Sequence, residues 1–394
     1  PEMSRGLGDV YKRQEYYAYN NDNILDSGKG WIAGTDRQNA NGRLALTPGI
    51  EEVKVNLTNN HNGGGELFLA GNPFMATLDM TQFFAKHEST NADQSAQLKK
   101  EYILLTDQGQ CYFTWNETTG QWDSSIKGIA GGTIAPLQGF FVKRIVRGAS
   151  VNITYTPDMT IAKPSKGSLL RSAQTRATDN NAARLYVTAE RNGFQSHILI
   201  EKQFTADNDY NDGEDIATLM DSNLKDQPTL YSVSGSTVVS INKVCDQKRI
   251  PLGIYSENSE DVTLTFSGAD SFSEKLFLYD AQNQTYSEID ASSTFTVPGN
   301  THGRYFLSLG REDAEGSLAG LTAYSPEAGR IVIVAPANDP MTQVSVYNTL
   351  GMEVQRLTQL NSTLEEVTVP AGLYIVRIES REQQASVKVA VKNR

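Results

Sequence analysis

The 394-residue sequence has few of the residues on which metal and redox chemistry depend, with two cysteines and four histidines. Two cysteines cannot build a disulfide framework, and no two histidines lie in the close spacing of a metal site. No apolar run approaches the roughly 20 residues that a membrane-spanning helix requires. Lys and Arg number 35 against 46 Asp and Glu, giving a net charge of −11. This balance argues against nucleic-acid binding, which needs clustered basic residues.

The sequence is rich in period-2 alternation. Residues 53–57, 262–266 and 387–391 each place Val, Leu or Phe at every second position. Successive strand side chains point to opposite faces, so the pattern predicts half-buried antiparallel strands. Turn clusters of Gly, Asn, Ser and Pro separate them. Many short strands of this kind predict an all-β fold of tandem β-sandwiches, jelly-roll or immunoglobulin-like.

One segment, Thr77–His87, has helical periodicity, with its apolar residues on one face. Either Thr77 or Asp79 is expected to cap the N-terminus of this helix. His87 is expected at its C-terminus, where a positive charge suits the helix dipole.

Residues 1–14 fit nothing downstream, and their last six residues resemble a translated sequencing adapter. They are predicted to be an assembly artefact, with the true N-terminus upstream. The C-terminus is expected to be the natural one, because the last strand pattern ends just before it.

Composition divides the rest of the chain. Residues 15–158 are predicted to form a β-sandwich with one short helix. A linker is predicted over 159–182, because every charged residue within 159–178 is basic and most of the rest are small, polar or turn-forming. Residues 183–310 are predicted to form an acidic sandwich, with nine basic and 18 acidic residues. A small terminal sandwich is predicted over 320–394.

Three elements near the C-terminus carry the most specific pattern of the chain. The elements are a strand–turn–strand (344–354), a turn opening into a strand (369–378) and a closing strand (387–392). Together they resemble the type A C-terminal sorting domain of the type IX secretion system of Bacteroidota. Each element alone is weak, but the order and spacing of all three match that family.

The resemblance implies an immunoglobulin-like sandwich that directs folded cargo from the periplasm across the outer membrane. The cargo is then secreted or held at the cell surface, where the domain is usually cleaved and an attachment enzyme joins the cargo to lipopolysaccharide. The candidate sorting-signal residues are Gly351, Gly372, Tyr374 and Lys388. Both glycines are expected at positive φ in turns, and Tyr374 is expected at the sandwich edge with its polar tip outward.

The preceding segments carry weaker likenesses. Residues 183–310 are similar to a β-sandwich that often precedes this sorting domain. Residues 69–74 and 134–143 are similar to segments of large exported surface proteins. Neither likeness implies a biochemical activity.

Two motifs suggest ligands. Residues 28–33 have the glycine spacing of a dinucleotide fingerprint, but no strand precedes them and no helix follows, so nucleotide binding is not predicted. Asp207, Asp209 and Asn211 place oxygen ligands at alternate positions, as a Ca²⁺ loop does. Asp212 stands where an EF-hand needs Gly, so a solvated acidic turn is favoured and a weak calcium site is left open. No other cofactor is expected.

Aromatic residues of the first domain suggest a sugar-binding platform. Trp115 and Trp122, with Tyr112, offer rings on which the apolar face of a sugar can stack. Trp115 is expected in the core and Trp122 nearer the surface.

The remaining chemistry-bearing residues suggest structural roles. Cys111 and Cys245 are expected to be free, buried thiols rather than a disulfide. His197 is expected on the solvent face of its strand. A Ser-His-Asp triad is neither favoured nor excluded by the sequence, because triads are spatial.

These observations favour a non-catalytic part of an exported surface protein, made of spacer and presentation β-domains followed by a sorting signal. The expected partners are the type IX machinery and the surface-attachment enzyme. One alternative is an adhesin that binds a polysaccharide or matrix through the first domain. Another is the tail of a secreted hydrolase whose catalytic domain lies upstream.

Overall fold

A computed structural model describes residues 52–58, 65–87, 98–106, 109–148, 150–161, 182–211, 214–220, 227–245, 247, 249–257, 259–310 and 321–391. The chain forms two compact units that divide after Thr178, with the short segment 125–127 grouped with the second. The predicted artefact (1–14), the glycine motif (28–33) and most of the predicted linker lie outside the described residues.

Short strands make up most of the described part of the first unit. In the first strand Val53, Val55 and Leu57 are buried and their neighbours are exposed, as the alternation predicts. Its elements are β1 (Val53–Thr58), β2 (Gly65–Gly71), β3 (Thr77–Asp79), α1 (Met80–His87), β4 (Leu98–Thr106), β5 (Gly109–Asn116), β6 (Gln121–Ser124), β7 (Thr133–Ile134), β8 (Gly139–Gly148), β9 (Ser150–Tyr155), a 3-10 turn (Pro157–Met159) and β10 (Thr160–Ile161).

These strands form three antiparallel sheets, in the orders β2-β8-β4-β5-β6, β1-β9 and β10-β3-β7. The helix begins three residues later than predicted, because Thr77 and Leu78 pair with β10 and β7. Asp79 is its cap: its Oδ1 accepts the N–H of Thr81 at 2.8 Å. The apolar face of α1 is buried, as predicted.

The second unit begins with a sandwich, here residues 183–309, in which one long sheet folds back on itself. Its strand order is β19-β18-β21-β16-β14-β15-β12-β11-β17-β20, with β13 beside β15. The strands are β11 (Ala183–Arg191), β12 (Phe194–Lys202), β13 (Ile216–Ala217), β14 (Thr229–Ser234), β15 (Thr237–Val244), β16 (Arg249–Tyr255), β17 (Asp261–Ser267), β18 (Leu276–Asp280), β19 (Thr285–Ile289), β20 (Thr294–Pro298) and β21 (Thr301–Leu309), with a 3-10 turn at Ala269–Ser271.

Both halves of this sheet contribute to one apolar core. Leu185 and Ile200 come from one half, and Ile250 and Leu307 come from the other. Burial between two sheet halves is the arrangement that the alternating sequence predicts for a β-sandwich.

The second unit ends with the tail, here residues 321–391, a small sandwich of two sheets in the orders β22-β23-β26 and β25-β24-β27-β28. Residues such as Ile331, Val346 and Val376 fill the space between these sheets. The all-β prediction is thus confirmed. The strands are β22 (Thr322–Tyr324), β23 (Arg330–Val334), β24 (Met341–Asn348), β25 (Glu353–Ser362), β26 (Leu364–Thr368), β27 (Gly372–Ser380) and β28 (Gln384–Val391).

Candidate functional site

The hairpin between β24 and β25 is closed by a tight turn at Gly351. Gly351 has φ +76°, as predicted, and its N–H donates to the carbonyl of Asn348 at 3.0 Å. The Asn348 Oδ1 accepts the N–H groups of Leu350 and Met352, each at 3.0 Å. Side-chain acceptors of this kind replace the backbone partners that a turn leaves unmade. The turn is therefore rigid, and it holds Leu350 and Met352 exposed at its tip.

The four-stranded sheet of the tail has an apolar outer face, defined here by Leu373 and Ile375. On β27 the side chains of Tyr374 and Val376 enter the core, so Leu373 and Ile375 point the other way and are 36% and 39% exposed. Together with the Gly351 turn they line a shallow depression of about 450 Å³. Lys388 lies directly opposite Ile375 on β28, at the edge of the sheet, and is exposed.

Two of the sorting-signal residues have different surroundings from those predicted. Gly372 is not at positive φ. A Cβ there would lie 3.4 Å from the ring of Tyr374, which is an ordinary van der Waals contact. Tyr374 is 6% exposed rather than at an open edge, and its hydroxyl donates to the carbonyl of Pro370 at 2.8 Å. The Tyr374 hydroxyl thus fixes the turn that leads into β27.

The two tryptophans are neighbours, and Tyr112 is not with them. Trp115 and Trp122 face each other across β5 and β6, with ring centroids 5.4 Å apart. Tyr112 points to the opposite face of β5 and is buried. Both tryptophans are half-buried, so Trp115 is not the core residue predicted.

Trp122 is packed within the first unit. Its ring centroid is 5.1 Å from that of Tyr102, and a Cβ on Gly132 would come within 2.9 Å of its Cδ1 atom. Trp115 packs against Trp122, and the Lys100 ammonium lies 5.9 Å from its ring centroid. Both rings keep accessible surface, and part of the Trp122 ring is covered by its packing against Tyr102.

The acidic loop is organised by a residue that the sequence did not single out. Asp207 Oδ1 accepts the N–H of Asp209 at 3.2 Å, while the N–H of Asn211 donates to Asp215 Oδ2 at 3.1 Å. Asp215 is buried and also accepts the N–H of Lys243 at 2.8 Å. Within the described residues, which omit 212 and 213, no group of three His, Cys, Asp or Glu side chains is arranged to hold a metal ion. The calcium site at Asp207, Asp209 and Asn211 stays a prediction.

Two histidines are buried in structural roles, contrary to prediction. His87 Nε2 accepts the N–H of Thr154 at 3.0 Å and Nδ1 bonds the carbonyl of Phe83 at 2.7 Å. Burial lowers the pKa of His87, so the ring is neutral rather than a cation at the helix end. His197 is 6% exposed and bonds the hydroxyl of Thr188 at 3.0 Å, so it does not face solvent.

Both cysteines are free thiols, as predicted. Cys111 is buried, with its sulfur 3.4 Å from the Ser124 hydroxyl. Cys245 is only half-buried, so the prediction of two buried thiols is wrong for this residue. Its thiol donates to the carbonyl of Phe204 at 3.3 Å.

Two family profiles match the chain. A family profile with the description "Domain of unknown function (DUF8693)" matches residues 35–308, more than two thirds of the chain. The chain belongs to the DUF8693 family. A second profile, "Secretion system C-terminal sorting domain", matches residues 325–392, which coincide with the tail. The predicted type IX sorting domain is thus confirmed, and the DUF8693 chain is a secreted or cell-surface protein.

Other comparisons add little. No curated protein matches the chain. One similar solved structure is titled "Central Fibronectin-III array of RIM-binding protein", with 12% identity, coverage of 42% of this chain and 87% of that chain, and a TM-score of 0.14. No helix within the described ranges is long and apolar enough to cross a membrane.

Proposed function

We propose that this chain is a non-catalytic part of an exported surface protein. The DUF8693 region serves as a spacer and presentation module, and the tail engages the type IX machinery through its outer face. The observation that carries the proposal is the exposure of Leu373 and Ile375 on a strand whose alternate residues form the core. Exposed apolar side chains grouped on one surface mark a binding site for another protein.

The rigidity of this surface supports its use in recognition. The Asn348 side chain and the Gly351 turn fix one side of the depression. The Tyr374 hydroxyl fixes the turn before β27. A preformed surface loses little conformational entropy on binding, so more of the contact energy appears as affinity.

The chemistry of the DUF8693 region supports the non-catalytic role. The histidines His87 and His302 have both ring nitrogens engaged, His302 with the Tyr231 hydroxyl at 2.6 Å and with Asn300 at 3.2 Å. Burial and the nearby Arg330 lower the pKa of His302 to about 3. Neutral, fully engaged imidazoles are poorly suited to act as general bases.

The two-ring sugar platform of the adhesin alternative is weakened by the internal packing of Trp122.

The proposal is tested by charging the outer face. The double substitution Leu373→Asp and Ile375→Asp alters two outward side chains and leaves the tail core intact. Full burial of one such side chain is worth about 2 kcal/mol, and about 1.4 kcal/mol is tenfold in binding. We therefore expect surface display in a host with a type IX system to fall more than about tenfold, with folded protein accumulating in the periplasm.

A matched control is Ser386→Asp, which adds a carboxylate to an exposed position of β28 beside Arg377. This variant is expected to reach the surface as the parent does. Deletion of residues 320–394 gives the reference for complete loss of display. Unchanged display of the double variant, measured by surface proteolysis of whole cells, contradicts the assigned docking face.

A further inference from the structure

The strand β23 is buried on both of its faces. Ile331 and Ile333 point into the core of the tail and are fully buried. Val332 and Val334 point the other way, yet they are only 0% and 4% exposed. A small sandwich on its own buries one face of each sheet and leaves the other to solvent. A second apolar body must therefore cover the face of β23 that carries Val332 and Val334.

The covering body is the sandwich of residues 183–309. Tyr324, Val332 and Val334 of the tail belong to one buried apolar cluster with residues of β14, β15, β16, β18 and β21. The ring centroid of Tyr324 is 6.2 Å from that of Tyr231, in an edge-to-face arrangement. The Thr322 hydroxyl donates to the carbonyl of Gly235 at 3.4 Å. This cluster is here named the junction.

The sandwich has a notch that fits the tail. Gly303 lies at φ +67° where the pairing of β16 with β21 shifts register. A Cβ on Gly303 would come 2.6 Å from Leu364 Cδ1 and 2.9 Å from Val334 Cγ2. The end of Leu364 can swing aside, but the β-branched Val334 has little rotamer freedom. Only glycine therefore lets the tail approach this closely.

We propose that the sandwich is a docking platform for the tail, strong enough to hold it after the peptide chain between residues 310 and 321 is cut. Without the platform, the tail would expose Tyr324, Val332 and Val334 as one apolar face. The sheet that carries Leu373 and Ile375 is the other sheet of the tail, so docking leaves the outer face uncovered. The inference does not rest on how that outer face is used.

The test introduces a protease recognition sequence within residues 311–320 of the full chain, which folds intact before it is cut. After native cleavage, the parent tail is expected to co-elute with the rest of the protein in size-exclusion chromatography. Gly303→Ala is expected to release the tail about tenfold faster, because the added methyl overlaps Val334. Gly310→Ala is the control, since Gly310 also has positive φ but no atom within 4 Å of an added Cβ.

A second pair of variants tests the junction from the tail side. Val334→Ala removes methyl groups from the junction, whereas Val354→Ala removes them from a side chain that is 46% exposed. Only the first is expected to speed release of the tail. Hydrogen exchange of the uncut chain gives the same comparison, with faster exchange of β23 amides in the junction variants alone. A parent tail that elutes separately, or junction variants that behave as their controls do, overturns the proposal.

Discussion

Asp215 shows how a single buried carboxylate organises the acidic loop. It is 1% exposed and accepts hydrogen bonds from the Asn211 and Lys243 amides and the Ser234 hydroxyl. Burial outweighs these donors and raises its pKa to about 6. The sequence displays seven Asp, Asn or Glu residues over 207–215 without marking which one turns inward, because burial is set by the strands on either side.

The raised pKa of Asp215 predicts how stability depends on pH. The folded state holds the proton more tightly than the unfolded state, so stability rises as pH falls through 6 toward the ordinary pKa of 3.8. The gain is up to about 3 kcal/mol at roughly 1.4 kcal/mol per pKa unit. Urea unfolding of the parent and of Asp215→Asn, followed by circular dichroism from pH 7.5 to 4, measures it. We expect the parent to gain stability over the variant on acidification.

A second variant independently tests how the pKa of Asp215 sets the pH dependence of stability. Ser234→Ala removes a hydroxyl that donates to the charged form of Asp215 at 3.1 Å. Loss of this donor is expected to raise the pKa of Asp215 further, so the gain in stability begins at higher pH. A difference between parent and Asp215→Asn that is flat with pH would show that this carboxylate does not titrate as described.

At the scale of elements, two segments singled out in the sequence meet in the structure. Residues 69–74 and 134–143 pair through β2 and β8, with Gly71 opposite Gly139. The Asn72 side chain donates to the carbonyls of Ala76 at 2.9 Å and Ala135 at 3.0 Å, and its Oδ1 accepts the N–H of Phe74 at 3.0 Å. The sequence marks both segments as unusual, but it cannot show that one asparagine joins them.

Replacement of Asn72 tests this link. Asn72→Ala leaves buried backbone groups without partners and is expected to destabilise the first unit by about 2–4 kcal/mol. Asn56→Ala is the matched control, because Asn56 bonds Asn152 at the exposed surface of the same unit. It is expected to cost less than about 1 kcal/mol. Tryptophan fluorescence during urea unfolding measures both, and equal midpoints for the two variants would contradict the role of Asn72.

The elements themselves could be predicted where one physical rule dominates. The alternation in β1 and β17 gives both the strand and its buried face. The start of α1 could not be predicted, because strand pairing of Thr77 and Leu78 overrides their place in the helical pattern. The apolar run of β23 is visible in the sequence, and continuous rather than alternating hydrophobicity is the signal of a strand buried on both faces. Only the coordinates show what covers the second face.

At the scale of the whole molecule, fold class and export follow from the sequence, and the grouping of its parts does not. The alternation of apolar and polar residues lies within short segments, so it can be read from the sequence, and it predicts an all-β chain. The sorting-domain pattern is also local, and it occupies one end of the chain. The grouping of sandwich and tail into a single compact unit depends on a glycine at residue 303 and on side chains that meet it from residues 332–364. Contacts between segments so distant in sequence leave no periodic signal.

The distribution of tryptophan makes the two compact units separately observable. All three tryptophans precede residue 179 in the sequence, and Trp115 and Trp122 lie in the first unit, whereas circular dichroism reports the strands of both units. Each unit has buried apolar residues of its own, so each is expected to unfold as its own cooperative transition. Asn72→Ala should therefore lower the urea midpoint seen by fluorescence. Val334→Asp, which places a charge in the junction, should lower the transition of the second unit, which circular dichroism reports, and leave the fluorescence midpoint unchanged. A fluorescence midpoint that moves with Val334→Asp would mean that the two units unfold together.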